Sequence, residues 1–315
     1  MRIKQAAAIG LLALTPALTG CLVHTHSVLK SRPPDIVYSS TLDQLLNQVE
    51  ARNDAIHTMI AWVQVVACEG GSSKGEVTCY PAFSGFIVIG KPEQISVILK
   101  VPILGSQALN MVSDGKTFKM VIPRKECAII GSDVVTNPSQ KGLYGLRPAV
   151  ILDSLMIQPR QDDQVVSMTQ DSWTPPQPKN RKGIVEDPDY DIEFLSRPQG
   201  QTAKALRVVH IDRVNLLPYR QDIYNDEGKV ATQAVYTNYQ KFGDINFPTK
   251  IVIQRPLDEL SLTITLSRKT NFNQKLDADT FDIGPIPANF AVQNMDDPVS
   301  AATNPCGAHV PPSKH

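Results

Sequence analysis

Residues 85–123 read GFIVIGKPEQISVILKVPILGSQALNMVSDGKTFKMVIP, and their period decides the fold class. From Gln94 to Val101, the apolar Ile95, Val97, Leu99 and Val101 alternate with Gln94, Ser96 and Lys100; Ile98 is the exception. A period of two is that of a strand with one buried face. Asp114-Gly115 then signals a two-residue hairpin, because a type I′ turn needs positive φ at both central positions. The stretch reads as four successive antiparallel strands.

The same period extends outward. Residues 60–67 and 77–83 read as strands before it and 126–132 as another after it. Residues 173–187 (WTPPQPKNRKGIVED) form a proline-rich, charged break, either a long loop or a boundary between halves. Beyond it Tyr190, Ile192 and Phe194 alternate with Asp189, Asp191 and Glu193, which read as a solvated strand face. Segments 206–214, 219–224, 230–239 and 250–254 follow, and Leu260, Leu262, Ile264 and Leu266 alternate with serines and threonines. Two segments have helical spacing instead. In 41–57, Leu42, Leu45, Leu46, Val49 and Ile56 share a stripe, and Thr41 with Gln44 can form a capping box. In 142–157, Pro148 suits the first helical position and Val150, Ile151, Leu152 and Leu155 follow. This gives about ten to twelve strands and two helices. A large antiparallel sheet must hide one apolar face, and two helices cannot layer both. The expected fold is mainly β (α+β): a single curved antiparallel sheet, an incompletely closed barrel with an apolar hollow, with helices covering the concave side.

The N-terminus reads as a processing signal. Arg2 and Lys4 precede a short apolar run, residues 6–18, and the run ends in Leu18-Thr19-Gly20-Cys21. This resembles the lipobox of bacterial lipoproteins, which implies removal of residues 1–20 and acylation of Cys21. Several acyl chains anchor stably where one is marginal. Leu22, where an aspartate would favour the inner membrane, points to the outer membrane. Residues 21–38, with His24, His26 and Pro33-Pro34, read as a solvated tether. Loss of Arg2 and Lys4 leaves 29 basic residues against 31 acidic, a net charge of −2. No basic excess argues for nucleic acid. Cys68, Cys79, Cys127 and Cys306 remain, and an exported chain can oxidise them. Four cysteines allow three connectivities. Cys68 and Cys79 flank the turn-like segment 69–75 and are the pairing favoured here, across a hairpin.

Further residues resemble the LolA/LolB-type lipoprotein-sorting superfamily. They are the Gly85–Pro92 segment, the Ser113-Asp114-Gly115-Lys116-Thr117-Phe118 hairpin followed by Pro123, and the close Asp279-Thr280-Phe281-Asp282-Ile283 with Pro285 and Pro287. The likeness runs over about residues 41–290. It implies a half-open barrel of about eleven strands with helices as a lid, which binds acyl chains of lipids or lipidated proteins and does no chemistry. A lipid-anchored member is similar to the outer-membrane receptor type, whose apolar loop between its third and fourth strands corresponds to Pro102–Gly105 here. Ile103 and Leu104 are thus candidates for membrane or cargo contact, unless they cap the core. Domains are expected at 1–20 (signal peptide), 21–38 (lipidated tether), 39–293 (half-barrel) and 294–315 (disordered tail).

Apparent catalytic motifs do not survive their context. Gly71-Ser72-Ser73-Lys74-Gly75 matches G-x-S-x-G but joins two strands, where a nucleophile elbow needs a strand and a helix. Gly85–Lys91 matches a phosphate-binding loop, yet Pro92 stands in place of Ser or Thr and the intervening residues are strand-like. His57 and His210 are isolated and read as structural. No enzyme activity, metal or cofactor is expected. The expected ligand lies between the concave sheet and the 142–157 helix, against Ile95, Val97, Leu99, Phe118, Met120, Leu260, Leu262 and Ile264. The alternative is a structural or regulatory envelope lipoprotein that grips a protein partner, its hollow filled by its own side chains.

Overall fold

A computed structural model of the chain describes residues 31, 32, 34, 36–71, 75–133, 142–176, 184–198, 200–297 and 306. The signal segment, Cys21, His24 and His26 lie outside them. In chain order the elements are β1 (Ser31–Arg32), α1 (Leu42–Asp54), β2 (Thr58–Gly70), β3 (Val77–Cys79), β4 (Phe83–Gly90), β5 (Gln94–Lys100), β6 (Gln107–Ser113), β7 (Thr117–Ile122) and β8 (Cys127–Ser132). Then come α2 (Pro148–Leu155), β9 (Gln164–Trp173), β10 (Ile184–Val185), β11 (Asp187–Ser196), β12 (Ala205–Asp212), β13 (Leu217–Tyr224), β14 (Val230–Phe242), β15 (Ile245–Arg255), β16 (Leu260–Leu266), β17 (Asn271–Phe272) and β18 (Ala291–Asn294). Residues 85–123 supply most of β4 and all of β5, β6 and β7.

One large sheet runs in the order β18-β8-β7-β6-β5-β4-β2-β16-β15-β14-β13-β12-β11-β9. The two meanders meet where β2 pairs antiparallel with β16, Ala67 opposite Leu262 and Val65 opposite Ile264. The sheet is curved, and α2 shows why. This eight-residue helix, about 12 Å long at 1.5 Å per residue, packs on β5 and β6 and also on β14 and β15. On a flat sheet β6 and β14 would be about 29 Å apart at 4.8 Å per strand. The sheet therefore wraps α2. It does not close, because β18 and β9 end the strand order without pairing each other.

Both helices sit on the concave face. α2 packs Ile151, Leu152 and Leu155 against the side chains that alternate inward from β2, β4, β5, β7 and β16. α1 lays Leu45 and Val49 on Tyr190, Ile192 and Phe194 of β11 and Val209 and Ile211 of β12. The Thr41–Gln44 capping box forms as the sequence predicts, and Pro148 begins α2.

Several expectations are corrected. The sheet has 16 strands, not about eleven. The extra ones are short, as β17 is, or lie at an edge, as β9 and β18 do, where one partner and little burial leave no clean alternation. The 173–187 break begins and ends in strand: Trp173 pairs with Asp187 between β9 and β11, and Ile184–Val185 runs parallel to β1. The expected tail from Asn294 is packed at its start. Asn294 pairs with Ile130, Met295 is buried and Cys306 is joined to Cys127 by a disulfide. Cys68 faces Cys79 across the β2–β3 pair, and they form the other disulfide. The Asp114-Gly115 turn is not type I′, since of the two only Gly115 has positive φ. Instead the Asp114 carboxylate accepts hydrogen bonds from the Lys116 and Thr117 amides at 2.8 Å, which depresses its pKa.

Candidate functional site

Alternating side chains of six strands leave a gap beneath α2. It is a cavity of about 170 Å³ enclosed by β2, β4, β5, β6, β7 and β16, with Leu143, Leu146 and Ile151 above. Of the eight predicted residues, Val97, Leu99, Met120, Leu262 and Ile264 line it. Ile95, Phe118 and Leu260 are buried in the same core but do not line it. Phe118 is covered by the Arg147 guanidinium, 5.9 Å from its ring centroid. Sequence reading missed Ile87, Leu109 and Met111, although they share the inward period of β4 and β6. Tyr80 also lines the cavity, and its hydroxyl donates to Glu69 Oε2 at 3.2 Å.

The volume fixes what fits. Small-molecule sites run roughly 300–1,000 Å³, and an apolar cavity of about 150 Å³ holds one benzene. The space under α2 takes a short length of hydrocarbon; a longer chain requires α2 to move. α2 is retained by polar latches near its ends. At its start the buried Arg147 donates to the Ser132 carbonyl and pairs with Asp296 at 3.3 Å. Just before it, Leu143 N–H donates to Glu69 Oε1 at 2.7 Å. Toward its end, Gln221 Nε2 donates to the Asp153 carbonyl at 2.9 Å. An eight-residue helix is marginal alone, so packing and these latches hold it.

The turn between β5 and β6 carries Pro102-Ile103-Leu104-Gly105. It does not cap the core: Ile103 is fully exposed and Leu104 69% exposed. Ile103 has φ 68°, a left-handed conformation that β-branched residues rarely adopt. Leu104 N–H donates to the Pro102 carbonyl at 2.7 Å and Gly105 N–H to that of Val101 at 3.1 Å, which holds the tip.

A polar cluster occupies the other face of the C-terminal strands. Asp189 is buried rather than solvated, and its carboxylate accepts from the Tyr219 hydroxyl. Tyr219 stacks on Trp173 with ring centroids 3.9 Å apart. His210 Nδ1 meets Asp191 Oδ1 at 2.6 Å and Nε2 meets Asp222 Oδ2 at 3.4 Å. Burial alone would lower the His210 pKa, but the two carboxylates outweigh it and raise it to about 9. Asp222, also bound by Arg220, is held at about 2; burial opposes this, and the His210 and Arg220 hydrogen bonds prevail. Asp189, Asp191 and His210 offer ligand atoms that lie within 4.8 Å of one another, a grouping that could hold a cation. No phosphate loop exists at 85–91, which is β4 and a turn with a cis Lys91–Pro92 peptide. The 71–75 motif joins β2 to β3, and its residues 72–74 lie outside the described ones.

A family model described only as an uncharacterised protein matches residues 184–284. No curated protein matches the chain. Its neighbours among solved structures include DUF1329 and LolA superfamily proteins. One is a DUF1329 family protein from Desulfovibrio piger, 13% identical over 78% of this chain and 97% of that one, with a TM-score of 0.49. A LolA superfamily protein from Nitrosomonas europaea is 11% identical over 77% and 98%, with a TM-score of 0.48. A domain from Vibrio parahaemolyticus, described as an outer membrane lipoprotein-sorting protein, is 11% identical over 76% and 95%, with a TM-score of 0.46. At such identities the likeness concerns the fold alone, and no site or ligand is transferred from it.

Proposed function

We propose that this chain is a lipid-anchored protein of the bacterial cell envelope that takes up acyl chains of lipids or lipidated proteins. Cys21 holds it at the outer membrane with the half-barrel facing the periplasm, and it does no chemistry. The observation that carries the reading is the apolar cavity under a short, latched helix. Energetics favour uptake. A bound chain replaces the apolar contacts of α2 with its own, so the loss is mainly the latches, about 1 kcal/mol for each neutral hydrogen bond and more for the Arg147 pair. A dozen buried methylenes return about 10 kcal/mol at 0.8 each. The exposed Ile103 and Leu104 would touch the membrane or the lipidated cargo.

The test is native mass spectrometry of the purified chain and titration with a fluorescent fatty acid. One acyl chain per protein is expected. Val97→Phe, which fills part of the cavity, is expected to weaken binding about tenfold, or 1.4 kcal/mol, while the protein stays folded. A chain that retains no lipid and binds no probe would refute the proposal. A second reading, a scaffold that grips a protein partner, is favoured by the small volume under α2, since much of the hollow is filled by the chain's own side chains. A single stable protein partner together with an empty lipid assay would select it.

A further inference from the structure

We propose that a second cavity, between α1 and the β14–β15 hairpin, is the headgroup site of an amphiphile with a carboxylate head whose hydrocarbon tail runs under α2. The inference rests on the acyl-binding reading and adds the class of ligand. This cavity measures about 390 Å³, within the range of small-molecule sites, roughly 300–1,000 Å³. Leu155, Met156 and Ile157, at the end of α2, form one wall, while Ile151 of the same helix lines the first cavity. α2 is thus the partition between the two hollows, and its displacement joins them into one long channel.

The second cavity differs from the first in its polar groups. Arg52, in the last turn of α1, lines it. Its Nη2 donates to the Leu216 carbonyl at 3.2 Å, and among the described residues it makes no ion pair. Burial pulls its pKa below the ordinary arginine value, as expected of a desolvated cation without a counter-charge. Tyr236 lines the same cavity, is 3% exposed, and its hydroxyl has no hydrogen-bond partner among the described residues. Buried polar groups are almost always paired, so an orphaned donor and an unpaired cation in the lining of one cavity mark a place for an acceptor with negative charge. Asp244 lines the mouth too, but it is exposed and solvated at the hairpin turn. A neutral lipid would leave Arg52 uncompensated. A carboxylate pairs with it and accepts from Tyr236, and the tail follows the apolar wall toward Met156.

The experiment uses the full chain with Cys21→Ser, so that it carries no acyl group of its own. Calorimetric titration below the critical micelle concentration compares hexadecanoate, hexadecan-1-ol and hexadecyl phosphate. Hexadecanoate is expected to bind about tenfold tighter than the alcohol, the size of a charge-assisted hydrogen bond. Arg52→Gln is expected to abolish that preference while leaving alcohol binding intact, Arg52→Lys to retain it, and Tyr236→Phe to reduce it. If Arg52→Gln does not fold, the Lys and Phe variants carry the test. Equal binding of acid and alcohol, or a preference indifferent to Tyr236→Phe and Arg52→Gln, would overturn the headgroup site and leave acyl binding standing. Tighter binding of the phosphate would overturn the choice of carboxylate. Binding of none of the three would overturn the acyl reading itself.

Discussion

At Gly85 the sheet tolerates no side chain. A Cβ there would lie 1.9 Å from the Ile98 carbonyl oxygen on the adjacent strand. Gly85→Ala must push β4 away from β5, and overpacking of this kind costs about 1–3 kcal/mol. The expected result is a lower urea midpoint with an unchanged slope; an unaltered midpoint would show that the strands give way freely. His210 offers a second residue-level test. Its folded pKa, about 9, lies above the ordinary 6.5. The stabilisation is therefore complete below pH 6.5 and is lost as pH rises through 9. Denaturant midpoints should fall over that window in the native protein, and His210→Gln should remove that part of the slope. An identical pH profile in both proteins would refute a charged His210. His210 reads as isolated along the chain, yet Asp191 and Asp222 reach it through the pairing of β11, β12 and β13.

Among the elements, local chemistry predicts helix starts better than strand neighbours. The N-cap of α1 and the start of α2 follow from Thr41, Gln44 and Pro148, whose effects act within one helical turn. β9 and β18 escape the same reading because edge strands bury little and need not alternate. β18 is also held by a distant tie. The Cys127–Cys306 bond spans 179 residues and Cys68–Cys79 spans 11. On the chain-entropy model the first is worth about 5 kcal/mol and the second about 3. The double variant Cys127→Ala/Cys306→Ala is therefore expected to lose more stability in equilibrium denaturation than Cys68→Ala/Cys79→Ala. The reverse order would mean that the 306 region contributes little to the fold.

For the molecule as a whole, the Pro102–Gly105 tip carries two of the most exposed large apolar side chains among the described residues. Ile103 and Leu104 are exposed, so Ile103→Asp with Leu104→Asp should change stability by no more than about 0.5 kcal/mol per site. In a Cys21→Ser background, which carries no acyl anchor, adsorption to phospholipid vesicles in a flotation assay should nevertheless fall several-fold. Undiminished adsorption would remove the tip from the membrane contact. Strand period, the inward face of β5, β7 and β16, and the two helices could all be read along the chain, because each depends on residues a few positions apart. The gap under α2 and the second cavity beside α1 could not. A cavity is the volume left when distant side chains fail to meet. It is set by how far the sheet curls and where α2 comes to rest, and no local period encodes either.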